Sequence, residues 1–354
     1  MIENEEQASN HGASQTAGDA AIPSGAITTA QLAKTILEST LLQAKFNQSI
    51  LARLDDLANG VLQTHEILQR VFQHLNEQIG KLKAGSYAWA RFGAPVGDGL
   101  LVTKVLNTFL MYMEASDMSV TPHLIADGCW EKTITDAIVA RLKPGMTVID
   151  VGANYGYYTL LSACCVGDKG RVYSFEPNPR TFQILKKNIE VNWLRPIVRP
   201  FQMVALDSRK KVELHVLRDF QGCTSLFSAQ YLPEPDTPPD QRPLVDAVPL
   251  DEIIQDEKID LVKIDAEGSE PLVLDGMQQI LARNPELTLL VEINVPMIRN
   301  CGDPADFLDR VRKLGGTMQY FTPWNTLEPF NQEKALQFPL FNLLIERKPG
   351  EAGK

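Results

Sequence analysis

The segment Val148-Ile149-Asp150-Val151-Gly152-Ala153-Asn154-Tyr155-Gly156 constrains this 354-residue chain more than any other. A short run suited to a buried strand leads into a glycine turn and then into an apolar helical stretch. In a doubly wound α/β sheet such a turn lies at the carboxyl edge of a strand, where ligands bind. Gly152 and Gly156 let the backbone approach a ligand closely. The spacing is G-x-x-x-G, which is neither the G-x-G-x-x-G of dinucleotide sites nor a Walker loop ending in G-K-[ST]. A carboxylate at Asp150, just before the turn, repels phosphate and suits a cationic ligand.

Further apolar runs repeat the strand signal at Met146–Val151, Arg171–Glu176, Val198–Ala205, Ile259–Asp265 and Leu287–Ile293. Helical stretches lie between most of them, near 156–166, 179–192, 269–283 and 303–314. Alternating β and α units predict a Rossmann-like, mostly parallel sheet of seven strands with helices on both faces. Lys211–Leu217 alternates polar and apolar residues and reads as a two-faced strand in an inserted hairpin. The proline-rich segment 231–243 reads as a loop, with a lid over the acceptor site as one role for it.

The amino-terminal third is of another kind. Residues 1–27 contain no Lys, Arg or aromatic residue and read as a disordered tail. From Thr28, which forms a T-x-x-Q capping box with Gln31, no proline occurs until Pro95. Ile36, Ile50, Leu54, Leu57, Val61, Leu68, Val71, Leu75 and Leu82 fall on one heptad frame, which Thr40, Gln43, Asn47, Thr64 and Gln78 interrupt. Leu37, Leu51, Phe72 and Ile79 form a second stripe. A helix over 28–85 would run roughly 80 Å. The pattern predicts a self-associating coiled coil, with a helical hairpin bent at Gly60 as the alternative. The α/β domain then occupies 86–350.

Glu176 ends the strand after the glycine turn, 26 residues beyond Asp150. An acid there accepts hydrogen bonds from ribose hydroxyls. Ala205 ends the next strand, where main-chain groups meet an adenine edge. Asp127-Gly128-Cys129-Trp130-Glu131 precedes the turn. Phe175-Glu176-Pro177-Asn178-Pro179 and Asn188-Ile189-Glu190-Val191-Asn192 follow it, then Val248-Pro249-Leu250-Asp251, Lys263-Ile264-Asp265-Ala266-Glu267-Gly268-Ser269-Glu270 and Leu274-Asp275-Gly276. This set resembles the FkbM family of S-adenosylmethionine-dependent methyltransferases over residues 100–350. The amino-terminal helix lies outside that resemblance.

The resemblance implies O-methylation of a hydroxyl on a sugar, glycan, glycolipid or natural product, with S-adenosylmethionine as donor. Glu131, Asp150, Gly152, Asn154, Gly156, Glu176, Pro177 and Ala205 are the expected donor-binding residues. Asp265 and Glu267 are the expected base and substrate-positioning group, because a hydroxyl is a poor nucleophile until its proton has an acceptor. Glu270 divides evenly between a site role and helix-end stabilisation, and Lys263 reads as structural. No metal is assigned; the alternative takes Asp265, Glu292 and Asn294 as three oxygen ligands for Mg²⁺. His215 is placed on the polar side of its strand, near the pocket edge.

The formal net charge of −10 and a pI near 5.1 argue against binding a nucleic-acid backbone. No apolar run reaches the roughly 18 residues of a membrane span. Five cysteines without paired metal spacing fit reduced thiols in the cytoplasm. The competing function is an inactive methyltransferase-fold scaffold whose helix recruits partners.

Overall fold

The computed structural model describes residues 29–86, 93–217, 219–227, 242–322, 324 and 326–348. Within the long helix it describes side chains only at 33–57, 59–61 and 64. The expected tail 1–27 and most of the proline-rich loop lie outside the described residues. The chain divides into two units, Met1–Gly85 and Ser86–Lys354.

In the first unit one helix, Thr29–Ser86, runs 58 residues without a break. The hairpin alternative is therefore corrected: Gly60 stays helical. One glycine costs about 1 kcal/mol in a helix interior, too little to break so long a hydrogen-bonded run. Its carbonyl also accepts from Thr64 Oγ1 at 2.7 Å.

The second unit opens with three antiparallel strands, β1 (Ala94–Gly97), β2 (Leu100–Val105) and β3 (Phe109–Glu114), which form their own sheet in that order. Residues of positive φ make both turns: Gly97, Asp98 and Gly99, then Leu106 and Asn107.

The main sheet is built from β4 (Thr147–Val151), β5 (Arg171–Phe175), β6 (Val198–Phe201), β10 (Leu261–Ile264), β11 (Thr288–Asn294), β12 (Thr317–Phe321), β13 (Leu327–Pro329) and β14 (Leu340–Glu346). Its order is β13-β12-β14-β11-β10-β4-β5-β6. The five strands from β11 to β6 are parallel, and β14, β12 and β13 pair antiparallel. The sheet has one strand more than expected because β13 folds back on β12 as a three-residue edge. Apolar side chains on both faces are buried, including Val148 and Leu261 on one side and Ile149 and Val262 on the other. That burial on both faces explains why these strands read as continuous apolar runs.

Between β6 and β10 the chain forms a small third sheet from β7 (Val204–Ala205), β8 (Lys210–Glu213) and β9 (Leu244–Val248), in the order β7-β9-β8. The expected single strand Val198–Ala205 is thus two. Pro200 cannot donate a ladder hydrogen bond, and it sits in β6, the outer strand of the main sheet. Beyond Gln202 the chain leaves that sheet and pairs with β9 instead.

Strand order reverses between β4 and β10. The first strand's successors add on one side and β10 and β11 on the other, which opens a crevice at the carboxyl ends. No helix among the described residues is long and apolar enough to cross a membrane.

Candidate active site

The crevice holds a cavity of about 290 Å³. The turn after β4 forms its floor. Gly152 has φ +76°, and a Cβ there would collide with the main-chain oxygen of Asp265. The turn after β4 and the loop after β10 therefore touch, and glycine is the residue that lets them. Gly152 N and Ala153 N both donate to the Phe175 carbonyl, at 2.9 and 3.0 Å. Asn154 has φ +50°. Its amide donates to Glu176 Oε2 at 2.8 Å.

Glu176 is 5% exposed and lines the cavity. Its Oε1 accepts from Asn178 N at 2.9 Å. Burial pushes its carboxyl up to about 7, against the opposing pull of the Asn178 and Asn154 amides. Each oxygen holds one amide and keeps acceptor capacity for another donor. Pro177 and Ala205 line the same cavity.

Asp150 is not among the lining residues. It is 1% exposed and accepts from Thr159 Oγ1 at 2.6 Å, while its Oδ1 has no partner. Gly156 also stands behind the wall, where a Cβ would press on Leu185 Cδ1 at 2.5 Å. These two expected donor-binding residues shape the turn from behind it.

A second group of charges fills the other end. Glu131 has φ +40° and accepts from Tyr158 Oη at 2.7 Å. Burial raises its pKa, with Tyr158 and Lys263 opposing. Lys263 is 4% exposed, ion-paired with Asp265 Oδ2 at 2.9 Å, and lies 4.8 Å over the Tyr158 ring. Burial pulls its pKa down, but Asp265 and Asp150 outweigh that, so it stays a cation. A lysine inside a parallel strand is thus held by a half-buried acid at the strand's end rather than by reaching solvent.

Asp265, Glu267 and Glu292 bring carboxylate oxygens within 4.8 Å of one another. Burial raises Glu267 well above the ordinary range, followed by repulsion from Asp265 and Glu270. Burial likewise raises Glu292, followed by Asp265 and Glu267. Like charges this close favour retained protons. Asn294, taken in sequence as the third metal ligand, adjoins this group: its Nδ2 lies 3.5 Å from Glu267 Oε2, and its Oδ1 accepts from Met297 N at 3.3 Å.

Glu270 is fully buried and holds the loop instead of facing the cavity. It accepts from Ala266 N at 2.9 Å and from Gly268 N at 3.0 Å, and burial pushes it up to about 7. Gly268, at φ +97°, sits where a Cβ would strike Met297. The D-x-E-G-x-E block is thus a tight loop closed by its last acid, which presents the first two.

Sequence reasoning missed the segment Gly222–Leu226, which lines the same cavity. Ser225 Oγ donates to the Glu267 carbonyl at 2.7 Å, and Gly222 N donates to Ser119 Oγ at 3.0 Å. No periodic pattern marks this stretch. His215 bridges to Ser225 but does not line the cavity. Cys223 does line it, and burial followed by the Glu267 charge pushes its thiol up to about 12, so it is protonated.

Residues 150–316 match the model of the methyltransferase FkbM domain. Among curated proteins, protein-L-isoaspartate O-methyltransferase 1 of Arabidopsis thaliana is 41% identical over 59 residues, 17% of this chain and 26% of that protein. The tRNA (adenine(58)-N(1))-methyltransferase TrmI of Thermus thermophilus is 32% identical over 99 residues, 28% of this chain and 36% of that protein. The chain spans only about a quarter to a third of the length of these relatives. Among solved structures, an rRNA methylase from Streptococcus thermophilus aligns at TM-score 0.36 and 13% identity, over 60% of this chain and 93% of that one. An S-adenosylmethionine-dependent O-methyltransferase from Thermotoga maritima aligns at 0.34 and 12%, over 62% and 66%.

Proposed function

With residues 150–316 forming a methyltransferase FkbM domain, we propose that the chain is an S-adenosylmethionine-dependent O-methyltransferase. Its acceptor in this reading is a hydroxyl on a sugar, glycan, glycolipid or natural product. The carrying observation is the shape of one cavity. At one end Glu176, held by two backbone amides, faces the glycine turn; at the other a carboxylate group surrounds Asp265.

The residues fit the donor. Gly152 lets the Asp265 loop close against the turn, Asn154 and Pro177 border the cavity, and Glu176 keeps acceptor capacity for the ribose hydroxyls. Ala205 edges the adenine side and Glu131 the amino-acid side. When bound, S-adenosylmethionine supplies an electrophilic methyl group on a sulfonium. The chain's own work is to orient the acceptor oxygen, exclude water and take up a proton. Asp265 is the proton acceptor, with Lys263 fixing its position at 2.9 Å. Glu267 and Glu292, retaining protons, position acceptor oxygens as hydrogen-bond donors. The domain organisation, residues 28–85 as a coiled coil and 86–350 as catalytic, belongs to this proposal. So does a cytoplasmic location, which five cysteines free of disulfides support.

Calorimetric titration with S-adenosylmethionine, its demethylated product, and either one with Mg²⁺ tests the reading. Saturable binding without Mg²⁺ is expected, followed by transfer of labelled methyl to hydroxylated acceptors. A folded protein that binds neither ligand overturns it in favour of the scaffold.

A further inference from the structure

The helix Thr29–Ser86 carries a surface that its own unit does not cover. Every described side chain between 33 and 64 is exposed. Ten large apolar residues are among them, from Ile50 at 41% to Leu42 at 70% exposed. An isolated helix in water has no burial to support it, and long helices draw their stability from an apolar face against a partner.

The spacing identifies the partner as the same chain. Stepping by four and three from Ile36 to Leu82 keeps one heptad register over 47 residues, with nine of its fourteen positions apolar, a period of 3.5 and hence a left-handed supercoil. Within this frame Leu54, Leu68, Leu75 and Leu82 occupy a positions. Ile36, Ile50 and Val71 occupy d positions. Leucine at a with β-branched residues at d disfavours two strands and favours higher numbers. Only Leu57 and Val61 reverse that order. Four of the seven e positions, Leu37, Leu51, Phe72 and Ile79, are large and apolar, two are Ala44 and Ala58 and one is His65, so the apolar seam is three rows wide over most of its length. A dimer covers two rows; the third needs further neighbours.

The polar core positions set the direction. Asn47 lies at a, and Gln43 and Gln78 at d. In a parallel assembly each meets its own kind and the amides satisfy one another. In an antiparallel assembly centred on the frame, Asn47 would oppose Val71 and Gln43 would oppose Leu75, leaving buried amides unpaired.

We propose that residues 29–86 assemble four copies of this chain into a parallel coiled coil, from which all four chains leave at the same end. Sedimentation equilibrium of the full chain tests the number. Four chain masses are expected; one, two or three overturn the proposal. Leu54→Asp with Leu68→Asp is expected to lower the mass fourfold with the near-ultraviolet circular dichroism unchanged, and a retained fourfold mass overturns it. Exchanging the core chemistry (Ile50→Leu and Val71→Leu with Leu54→Ile, Leu68→Ile and Leu75→Ile) is expected to halve the mass, and no change overturns the assignment. Amine cross-linking of mixed light and heavy chains reads direction. Lys45–Lys45 links between chains are expected, and Lys45 linked between chains to Lys81 instead overturns the parallel arrangement.

Discussion

At the end of β5 one buried carboxylate links the backbone of the glycine turn to whatever fills the cavity. Glu176 is the better acceptor when charged, and burial sets its titration near 7. Donor affinity is therefore expected to rise between pH 6 and 8. A hydrogen bond to a charged group contributes about 1.5–3 kcal/mol, so Glu176→Gln is expected to weaken donor binding roughly 10- to 100-fold and to flatten that pH dependence. Calorimetry across the range reads both. At the other end Asp265→Asn removes the proposed proton acceptor, and a turnover loss of about 10²- to 10⁴-fold is expected, with donor affinity kept within a few-fold. It also leaves Lys263 buried without its ion pair, so the assay belongs well below the variant's melting temperature. These residues were legible because each stands at the end of a strand, a position with geometric meaning even in one sequence. Asp150 was legible as a residue of the turn but not in its orientation, which depends on Thr159, nine residues on. The Gly222–Leu226 lining was not legible, because its place is set by long-range contacts with Ser119 and Glu267 rather than by any local pattern.

The helix Pro179–Val191 and its C-cap carry two asparagines whose spacing has a plain structural explanation. Asn188 Oδ1 accepts from Tyr112 N at 2.7 Å, and its Nδ2 donates to Tyr112 O at 2.9 Å and Tyr155 O at 2.8 Å. Asn192, one turn later, repeats the pairing with Leu110 N at 3.0 Å and Leu110 O at 2.7 Å. Two side-chain amides thus serve as a substitute strand for the edge of β3 and fix the three-stranded sheet to the catalytic core. Asn188 is fully buried, so Asn188→Ala leaves several backbone groups unsatisfied. A loss of about 2–4 kcal/mol is expected, read as a lower urea midpoint. Asn192→Ala, on a more exposed turn, is expected to cost less than half as much. The parallel strands were legible from their apolar runs, and the helices between them from their length. The sheet β1–β3 was passed over, although Gly97-Asp98-Gly99 marks its first turn, because its strands are short and no helix separates them. The division of Val198–Ala205 between two sheets was not legible either, since both halves are apolar and the break is made by pairing partners distant in sequence.

For the whole second unit, the candidate site is a concentration of buried and half-buried acid that the fold tolerates at a cost. Glu131, Asp150, Glu176, Glu267, Glu270 and Glu292 all have carboxyls raised above their ordinary values, with burial as the leading cause. The buried cation facing them is Lys263. A carboxyl whose folded pKa exceeds its unfolded one binds more protons in the native state than in the unfolded state between the two values. Stability therefore falls as pH rises through that window. For Glu176 and Glu270 the window runs from 4.5 to about 7. A shift of that size corresponds to roughly 3 kcal/mol per group. His215, lowered by burial, works the other way below the ordinary histidine value of 6.5, as a single and half-buried group. The six carboxyls outweigh it, so the ligand-free protein is expected to melt at progressively lower temperature from pH 5 to pH 8. At about 2–4 °C per kcal/mol for a unit of this size, one such carboxyl accounts for roughly 5–10 °C. Glu270→Gln separates this effect from the site's chemistry, because Glu270 holds the loop through backbone amides and does not line the cavity. Its amide oxygen can keep one of those bonds without a charge. The variant is expected to be less stable than the parent at pH 5 and to lose less on going to pH 8, which differential scanning fluorimetry across that range reads directly. Parallel melting curves for parent and variant would mean that the buried acids are balanced in the native state by something other than their own protons.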